Sequence, residues 1–371
     1  MQRKVILSIG RDSSGAVEGS QLHQRFETYD MYHTFIYVIM NRGERKVVSV
    51  GQSKVILAGG KTLIGAFLSA LKEAWLQARK QKFAVVTTQD VLYAGVVGFV
   101  ISKRFKLPYY VQVHGDHLDN ERWFKSEVGK FNRLMNHVGK FLLKRADGIR
   151  AVSDRLKKQL VTNYSIAPEK IISIPIGTDL QKFASANNDV RKRRIFFAQR
   201  LIHEKCPMLF AEVVKEVIDE FEDVTVGIAG DGFLREEMEA YFAEHNLTDN
   251  VTFYGQLTQE ELAKLYNTSY CYIHTADWEG WGMPMIEAMA AGCPVVTTDT
   301  GCAGEAVRHN ETGLVTAVND KEALVAETKR LFADEQLWQS LVSASREEAK
   351  RWSFASLTEE NMNWYRDARK K

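Results

Sequence analysis

Two patterns of apolar and polar residues alternate along the chain. Short apolar runs, rich in β-branched residues, are separated by longer stretches that repeat apolar residues at helical spacing. Apolar strands that alternate with helices are typical of a parallel sheet covered on both faces. In the first half of the chain we expect strands at 5–9, 35–39, 47–50, 84–87, 109–113, 148–152 and 171–174.

The pattern restarts in the second half, with expected strands at 194–198, 225–229, 251–254, 271–274 and 294–298. Turn-forming and small polar residues crowd the segment 175–193, which indicates a domain boundary. The prediction is an α/β protein with two doubly wound, Rossmann-like domains that face each other across a cleft. The first domain spans 1–187 and the second 188–349, and a C-terminal helix over about 350–371 packs back on the first.

Size and composition agree with two soluble domains. The chain has 371 residues, of which 45% are apolar and 26% are charged. Its longest uninterrupted apolar run, 91–101, is shorter than the roughly 20 residues that a membrane span requires. Cys206, Cys271, Cys293 and Cys302 lack the spacing of a metal site, and we interpret them as reduced thiols of a cytoplasmic protein.

Charge is distributed unevenly between the two halves. Residues 1–187 carry 29 basic and 15 acidic residues, whereas the rest of the chain carries 20 and 32. The basic excess suggests that the first half faces a membrane surface, a phosphorylated acceptor or nucleic acid. Opposite charges on two domains also attract each other, and this alternative stays open. Nucleic acid has little support, because no recognisable reading module accompanies the cations.

The segment 121–145 is a predicted helix in which apolar residues, from Trp123 to Leu142, are interleaved with seven cations, from Arg122 to Arg145. A basic amphipathic helix can lie on an anionic membrane, and the segment 61–82 has a similar mixture. The alternative is an apolar stripe in the core beside solvated cations. Peripheral contact with the inner face of a membrane is therefore a hypothesis that the sequence leaves open.

Cations and glycines follow the first two strands of the second half. Arg200 and Lys205 come after the first of them, at the edge where such sheets bind ligands. Two fixed cations there can neutralise a diphosphate, whereas taken alone the two residues are more readily interpreted as a solvated arginine and lysine on a loop. Gly230 and Gly232 flank Asp231 after the next strand, where they permit a tight turn and close approach of a ligand to the backbone.

The segment from Glu279 to Glu287 carries the most specific signal. It follows the strand expected at 271–274, and two glycines free its backbone. Pro284 suits the first turn of a helix, whose N-terminus favours a phosphate. One carboxylate can accept hydrogen bonds from sugar hydroxyls and the other from a ribose diol.

Together these segments resemble the retaining, GT-B-fold glycosyltransferases of family four. The matching segments of the second half are Arg200 to Lys205, Gly230 to Gly232, Glu279 to Glu287 and Ala288 to Val296, in family order. In the first half, Val113 to Gly115, Arg145 to Asp154 and Ile174 to Phe183 are similar to the family as well. The resemblance covers nearly the whole chain.

The resemblance implies a hexosyltransferase-type enzyme with a donor site for a nucleoside-diphosphate sugar. It assigns Arg200 and Lys205 to the diphosphate, Glu279 to the transferred sugar and Glu287 to the ribose. The implied catalytic set is Arg200, Lys205, Glu279 and His114, the last matching a family histidine near the donor sugar. The other implied donor contacts are Gly19, Gly230, Asp231, Gly232, Leu257, Gly282, Met283, Pro284, Met285 and Glu287.

Neither a metal nor a cofactor is expected, because cations of the protein neutralise the leaving diphosphate. The resemblance implies retention of configuration and a saccharide or lipid-linked acceptor in glycan, lipopolysaccharide or glycolipid biosynthesis. Three alternatives stay open: a GT-B phosphorylase, a sugar-nucleotide epimerase, and a non-catalytic glycan- or nucleotide-binding protein. A dinucleotide-dependent oxidoreductase lacks support, since no Gly-x-Gly-x-x-Gly follows the first strand.

Overall fold

The computed structural model describes residues 3–115, 118, 129–184 and 192–368. The chain forms two compact units, one of Met1–Ile174 with Thr358–Lys371 and the other of Pro175–Leu357. Parts of the expected amphipathic helix, 121–128, and of the expected linker, 185–191, lie outside the described residues.

The first unit is built on an eight-stranded sheet. Its strands are β1 (Val5–Gly10), β2 (Thr34–Ile39), β3 (Lys46–Val50), β4 (Ser53–Leu57), β5 (Val85–Thr88), β6 (Tyr109–Val113), β7 (Gly148–Ala151) and β8 (Ile171–Ser173). Their order is β3-β4-β2-β1-β5-β6-β7-β8, and every neighbouring pair is parallel except β3 and β4. The expected parallel α/β architecture is confirmed for this unit.

The antiparallel β3–β4 hairpin is absent from the sequence prediction. Val50 pairs with Ser53 across a two-residue turn in which Gly51 has φ of 60°. In the sequence, the polar run from Gly51 to Ser53 indicates only that the strand before it ends there. Pairing with β3 on one side and with β2 on the other makes the following residues a second strand.

Among the described residues before Ile174, the helices beside the first sheet are α1 (Gln21–Asp30), α2 (Leu63–Lys80), α3 (Tyr93–Phe105), α4 (Gly129–Lys144) and α5 (Asp154–Tyr164). Side chains of Ser20, Thr62 and Ser153 cap α1, α2 and α5 by accepting hydrogen bonds from first-turn amides. α2 and α3 bury their apolar faces in a core that includes Leu7 and Val38 of the sheet.

The second unit contains a six-stranded parallel sheet. Its strands are β9 (Lys192–Ala198), β10 (Thr225–Ala229), β11 (Val251–Gly255), β12 (Ser269–His274), β13 (Val295–Thr298) and β14 (Leu314–Thr316), in the order β11-β10-β9-β12-β13-β14. Its helices are α6 (Leu180–Phe183), α7 (Pro207–Ile218), α8 (Arg235–Glu244), α9 (Gln259–Thr268), α10 (Met283–Ala290), α11 (Lys321–Ala333) and α12 (Glu335–Ala349). The α/β prediction is confirmed here too, and β14 and α12 are additions to it.

The boundary between the units falls between Ile174 and Pro175. The short helix α6 belongs to the second unit, because Phe183 is fully buried there. Its ring lies 6.0 Å from that of Tyr266, and its carbonyl accepts a hydrogen bond from Asn267.

The last helix, α13 (Phe354–Arg366), belongs to the first unit from Thr358 onward. The ring of Tyr365 lies 5.7 Å from that of Phe35, and its hydroxyl accepts a hydrogen bond from Gln112 at 2.8 Å. Because Tyr365 is buried, these contacts make the C-terminal residues part of the first core.

Two helices of the first unit leave apolar side chains in solvent beside cations. On α2, Ile64 is 73% exposed and Leu68 is 56% exposed. On α4, Leu134 and Phe141 are exposed, whereas its other apolar residues include buried core positions. Within the described residues, none of the helices combines the length and apolar character needed to cross a bilayer.

Candidate functional site

The carboxyl ends of β9 and β12 lie side by side in the second sheet. After β9 the chain adds β10 and β11 on one side, and β12 then pairs with the other side of β9. Such a reversal is the topological switch point at which open parallel sheets bind ligands. Lys205 lies in the loop after β9 and Glu279 in the loop after β12, so both predicted residues reach the same edge.

Lys205 and Glu279 form a largely buried ion pair. Nζ of Lys205 lies 2.5 Å from Oε2 of Glu279, and the two side chains are only 13% and 18% exposed. Thr275 joins their loops, because its hydroxyl donates to the carbonyls of Lys205 and Cys206 at 2.9 and 3.0 Å. Burial raises the pKa of Glu279, but the ammonium of Lys205, together with His274 and the amide of Gly280, leaves this pKa below its ordinary value. The carboxylate is therefore charged at neutral pH.

His274, the last residue of β12, is a member of this cluster that the sequence analysis did not include. Its side chain is fully buried, with Nε2 at 3.9 Å from Oε2 of Glu279 and Nδ1 at 3.2 Å from the hydroxyl of Tyr272. Burial lowers the pKa of His274 to about 4, so the imidazole is neutral at physiological pH. Nε2 has no hydrogen-bond partner among the described residues.

Two glycines leave room for the side chain of Glu279. Gly282 and Gly301 have φ of 90° and 56°, a left-handed conformation that favours glycine. A Cβ atom on Gly282 would lie 3.2 Å from Cγ of Glu279, and one on Gly301 would lie 2.9 Å from it. A side chain at either position would therefore displace the carboxylate of Glu279.

The loops after β9 and β10 hold the next predicted residues. Arg200 is exposed, and its guanidinium makes no hydrogen bond or ion pair with the described part of the chain. Gly230 has φ of 122°, and a Cβ atom there would lie 1.9 Å from the carbonyl oxygen of Gln199. This close approach requires a glycine.

Asp231, Gly232 and Leu257 lie beside this turn. The side chain of Asp231 is exposed and accepts a hydrogen bond from the amide of Gly232 at 2.8 Å. The amide of Gly230 donates to the carbonyl of Gly255 at 2.7 Å, which links the turn to the loop that carries the half-buried Leu257. The predicted contacts after β10 and β11 thus belong to one connected edge.

The helix α10 begins directly after the loop of Glu279. Gly282 is its cap residue, and Met283 and Pro284 open the helix in half-buried positions, while Met285 and Glu287 are buried. Burial raises the pKa of Tyr272 far above its ordinary value, and the carboxylates of Glu279 and Glu287 add to this effect. Both carboxylates therefore lie near Tyr272.

Two predicted residues belong to the first unit. His114 follows β6, and its Nε2 lies 3.2 Å from Oε1 of Gln89, which follows β5. Gln89 also donates to the hydroxyl of Ser8 on β1 at 3.4 Å. Gln89 is thus a second residue that sequence reasoning missed, since nothing in its neighbourhood marks it. Gly19 lies in an exposed turn before α1, with φ of 79°.

Three buried polar side chains lie in the loops around Glu279 and Arg200. Gln199, Trp281 and Thr300 are 8%, 2% and 4% exposed. Their side-chain polar atoms find no hydrogen-bond partner among the described residues. Such groups are uncommon in folded proteins, and a polar ligand at this edge is one way to satisfy them. In the described part of the chain, no cluster of His, Cys, Asp or Glu could hold a metal ion.

We predict that His274 makes stability depend on pH. The unfolded chain protonates this imidazole below its ordinary pKa of 6.5, whereas the folded chain does so only near a pKa of about 4. The free energy of unfolding is therefore highest above pH 6.5 and falls by roughly 2–3 kcal/mol as the pH drops to about 4.5. Calorimetry of the wild type and His274→Gln at both pH values measures the contribution of His274 to the free energy of unfolding. An equal decrease of this free energy in the two proteins would contradict the prediction.

Two family models match the chain in succession. Residues 32–182 match the model described as Glycosyltransferase Family 4, and residues 179–349 match the model described as Glycosyl transferases group 1. Among curated proteins, the chain is similar to the 2-deoxystreptamine glucosyltransferase of Streptomyces kanamyceticus. The two are 27% identical over 290 residues, which cover 72% of this chain and 75% of that protein.

Solved structures show the same fold at low sequence identity. Sucrose-phosphate synthase from Thermosynechococcus elongatus has a TM-score of 0.81 at 21% identity, and the match covers 98% of both chains. HepE from Anabaena, solved in complex with UDP-glucose, has a TM-score of 0.77 at 18% identity, covering 98% of this chain and 99% of that one. The fold is GT-B, and the chain belongs to the group 1 glycosyltransferases of family four.

Proposed function

We propose that this glycosyltransferase takes its sugar from a nucleoside-diphosphate sugar and transfers it to a hydroxyl of a saccharide or lipid-linked acceptor. The observation that carries the proposal is the pairing of Lys205 with Glu279 at the switch point, next to the exposed Arg200. A cation suits the diphosphate and a carboxylate suits sugar hydroxyls. The complex of HepE with UDP-glucose supports this class of donor for a protein of the same fold.

In this proposal the protein stabilises the leaving group. Negative charge grows on the departing phosphate oxygen, and Arg200, Lys205 and the N-terminus of α10 supply positive potential for it. Glu279 accepts hydrogen bonds from the transferred sugar, and Glu287 those from the ribose. The partly buried surroundings of Lys205 strengthen its electrostatic effect relative to a solvated lysine.

The proposed chemistry forms one bond and breaks one bond at the anomeric carbon of the donor. The acceptor hydroxyl oxygen bonds to this carbon as the bond to the diphosphate oxygen breaks, and the hydroxyl proton moves to the departing phosphate. Attack on the face from which the phosphate leaves retains the configuration and requires no separate base. We assign no covalent nucleophile. Retention rests on the family resemblance alone.

The acceptor side of the proposal concerns the first unit. Its exposed Ile64 and Leu68 on α2 stand in a segment with Lys61 and Lys72, both exposed. Apolar side chains among cations suit an anionic bilayer surface. We propose peripheral contact with the cytoplasmic face of a membrane, which would bring the enzyme to a lipid-linked acceptor.

Loss of either charged partner should abolish transfer. We expect Lys205→Ala and Glu279→Ala to lower the rate of nucleoside diphosphate release about a hundredfold or more, because each removes a contact to the donor. The donor is the nucleotide sugar that stabilises the wild type most in a thermal-shift screen. Lys215→Ala, which removes a lysine that pairs with Asp219 at 2.6 Å, is the matched control and should leave the rate unchanged. Wild-type turnover in a folded Lys205→Ala or Glu279→Ala protein would refute the assignment.

Chelation should not affect the rate. Because Arg200 and Lys205 supply the positive charge in this proposal, we expect the wild type to keep its activity, within about twofold, after treatment with EDTA. The same release assay measures it. A rate that EDTA abolishes and Mg²⁺ or Mn²⁺ restores would show that the diphosphate is neutralised by a metal.

Binding to anionic vesicles should depend on the apolar face of α2. We expect the protein to float with phosphatidylglycerol-containing liposomes at low salt and to lose much of this binding at high salt. The double variant Ile64→Ser/Leu68→Ser should bind several-fold less. Met31→Ser is the control, since Met31 is 71% exposed, close to the 73% of Ile64. Absence of flotation at low salt would exclude the proposed contact.

A further inference from the structure

The ion pair between Lys205 and Glu279 occupies both groups that the donor needs. In the proposed function Lys205 binds the diphosphate and Glu279 binds the sugar. In the structure their charged atoms instead lie 2.5 Å apart and neutralise each other. A donor that recruits the ammonium for its diphosphate therefore competes with Glu279 for Lys205.

Separation of this pair leaves the carboxylate of Glu279 buried without its cationic partner. The side chain is only 18% exposed, and the ammonium of Lys205 is the main influence that holds its pKa down against burial. A buried carboxylate that loses its partner is strongly destabilising unless another donor replaces it. The amide of Gly280 donates to Oε1 at 3.1 Å, but it does not contact Oε2, the oxygen that Lys205 holds.

His274 has the only other charged or ring nitrogen that the described residues place within ion-pair distance of Oε2. Its Nε2 lies 3.9 Å away, is fully buried and has no hydrogen-bond partner among the described residues. The nearby carboxylate favours the tautomer with the proton on Nε2, in which the hydroxyl of Tyr272 donates to Nδ1. A neutral N–H group thus faces Glu279 from the end of β12.

A short movement of Glu279 converts this approach into a hydrogen bond. N–H···O bonds have heavy-atom distances of about 2.9 Å, so the carboxylate must move by about 1 Å. Gly282 and Gly301 have no Cβ atom to press on its Cγ, so neither residue's side chain restrains the carboxylate. The strand end that carries His274 is fixed by pairing with β13, and therefore the carboxylate is the group that moves.

We propose that the Lys205–Glu279 ion pair is a resting contact which the donor exchanges, and that His274 is the positioning residue that holds Glu279 afterwards. This inference rests on the proposed donor. Once the diphosphate takes Lys205, Nε2–H of His274 donates to Oε2. Glu279 keeps its charge and its direction, and its remaining lone pairs accept hydrogen bonds from the sugar. No covalent bond changes in this exchange.

Binding of nucleoside diphosphates tests the exchange, because they carry the diphosphate without the sugar. UDP, GDP, ADP and dTDP are titrated calorimetrically into the wild type, and the tightest binder is the probe. Glu279→Gln releases Lys205, so we expect it to bind the probe about tenfold more tightly. Glu220→Gln makes the same chemical change at a carboxylate 2.8 Å from Lys329 and should leave the affinity within twofold.

A double-mutant cycle separates positioning from a merely structural role. We expect His274→Leu to weaken probe binding about tenfold in the wild-type background, because Glu279 then has no replacement for Lys205. In the Glu279→Gln background the same substitution should have almost no effect, since no carboxylate needs a partner. An equal loss in both backgrounds would overturn the role of His274.

A spectroscopic measurement on the unmutated protein covers the case in which His274→Leu fails to fold. In ¹⁵N-histidine-labelled protein, the probe should shift the Nε2 resonance of His274 as the new hydrogen bond forms. His274→Gln assigns the resonance by its disappearance, and Glu279→Gln should abolish the shift. A resonance that stays in place on saturation overturns the inference while the donor proposal stands. Failure of all four diphosphates to bind instead contradicts the proposed function itself.

Discussion

Adjacency of the parallel strands β9 and β12 is the constraint on which the candidate site depends. Lys205 and Glu279 are 74 residues apart in sequence, and they meet because Phe196 and Tyr272 are in register across the two strands. The carboxyl ends of neighbouring parallel strands lie at the same edge of the sheet, so the loops that follow these strands lie next to each other. The hydroxyl of Thr275 then ties the two loops through the carbonyl of Lys205.

Because this edge has little exposure to water, its charged side chains interact more strongly than charges on an open surface do. A lysine and a glutamate on an open surface interact weakly with each other and with a ligand, because water screens them. Here the pair is mostly buried, and its two members neutralise each other. The neutral, buried His274 adds a hydrogen-bond donor without adding a second positive charge.

The first unit has a hydrogen-bonded sheet edge of its own. Its switch-point edge joins His114 to Gln89, and Gln89 in turn to Ser8, so three strands contribute to one hydrogen-bonded row. Elsewhere on this unit, the exposed side chains of α2 combine apolar and cationic character.

The sequence by itself determined the fold class, the family and the strand ends after which the candidate site residues lie, because periodicity and motif spacing are local properties of the chain. It also named Arg200, Lys205, Glu279 and Glu287 as candidates, and their role as donor contacts stays a prediction. Only the tertiary structure decided that Lys205 and Glu279 contact each other, that His274 faces the same carboxylate, and that Ser53–Leu57 is a strand between β3 and β2. Each of these depends on which strands become neighbours, and strand neighbours are chosen by packing between residues distant in sequence.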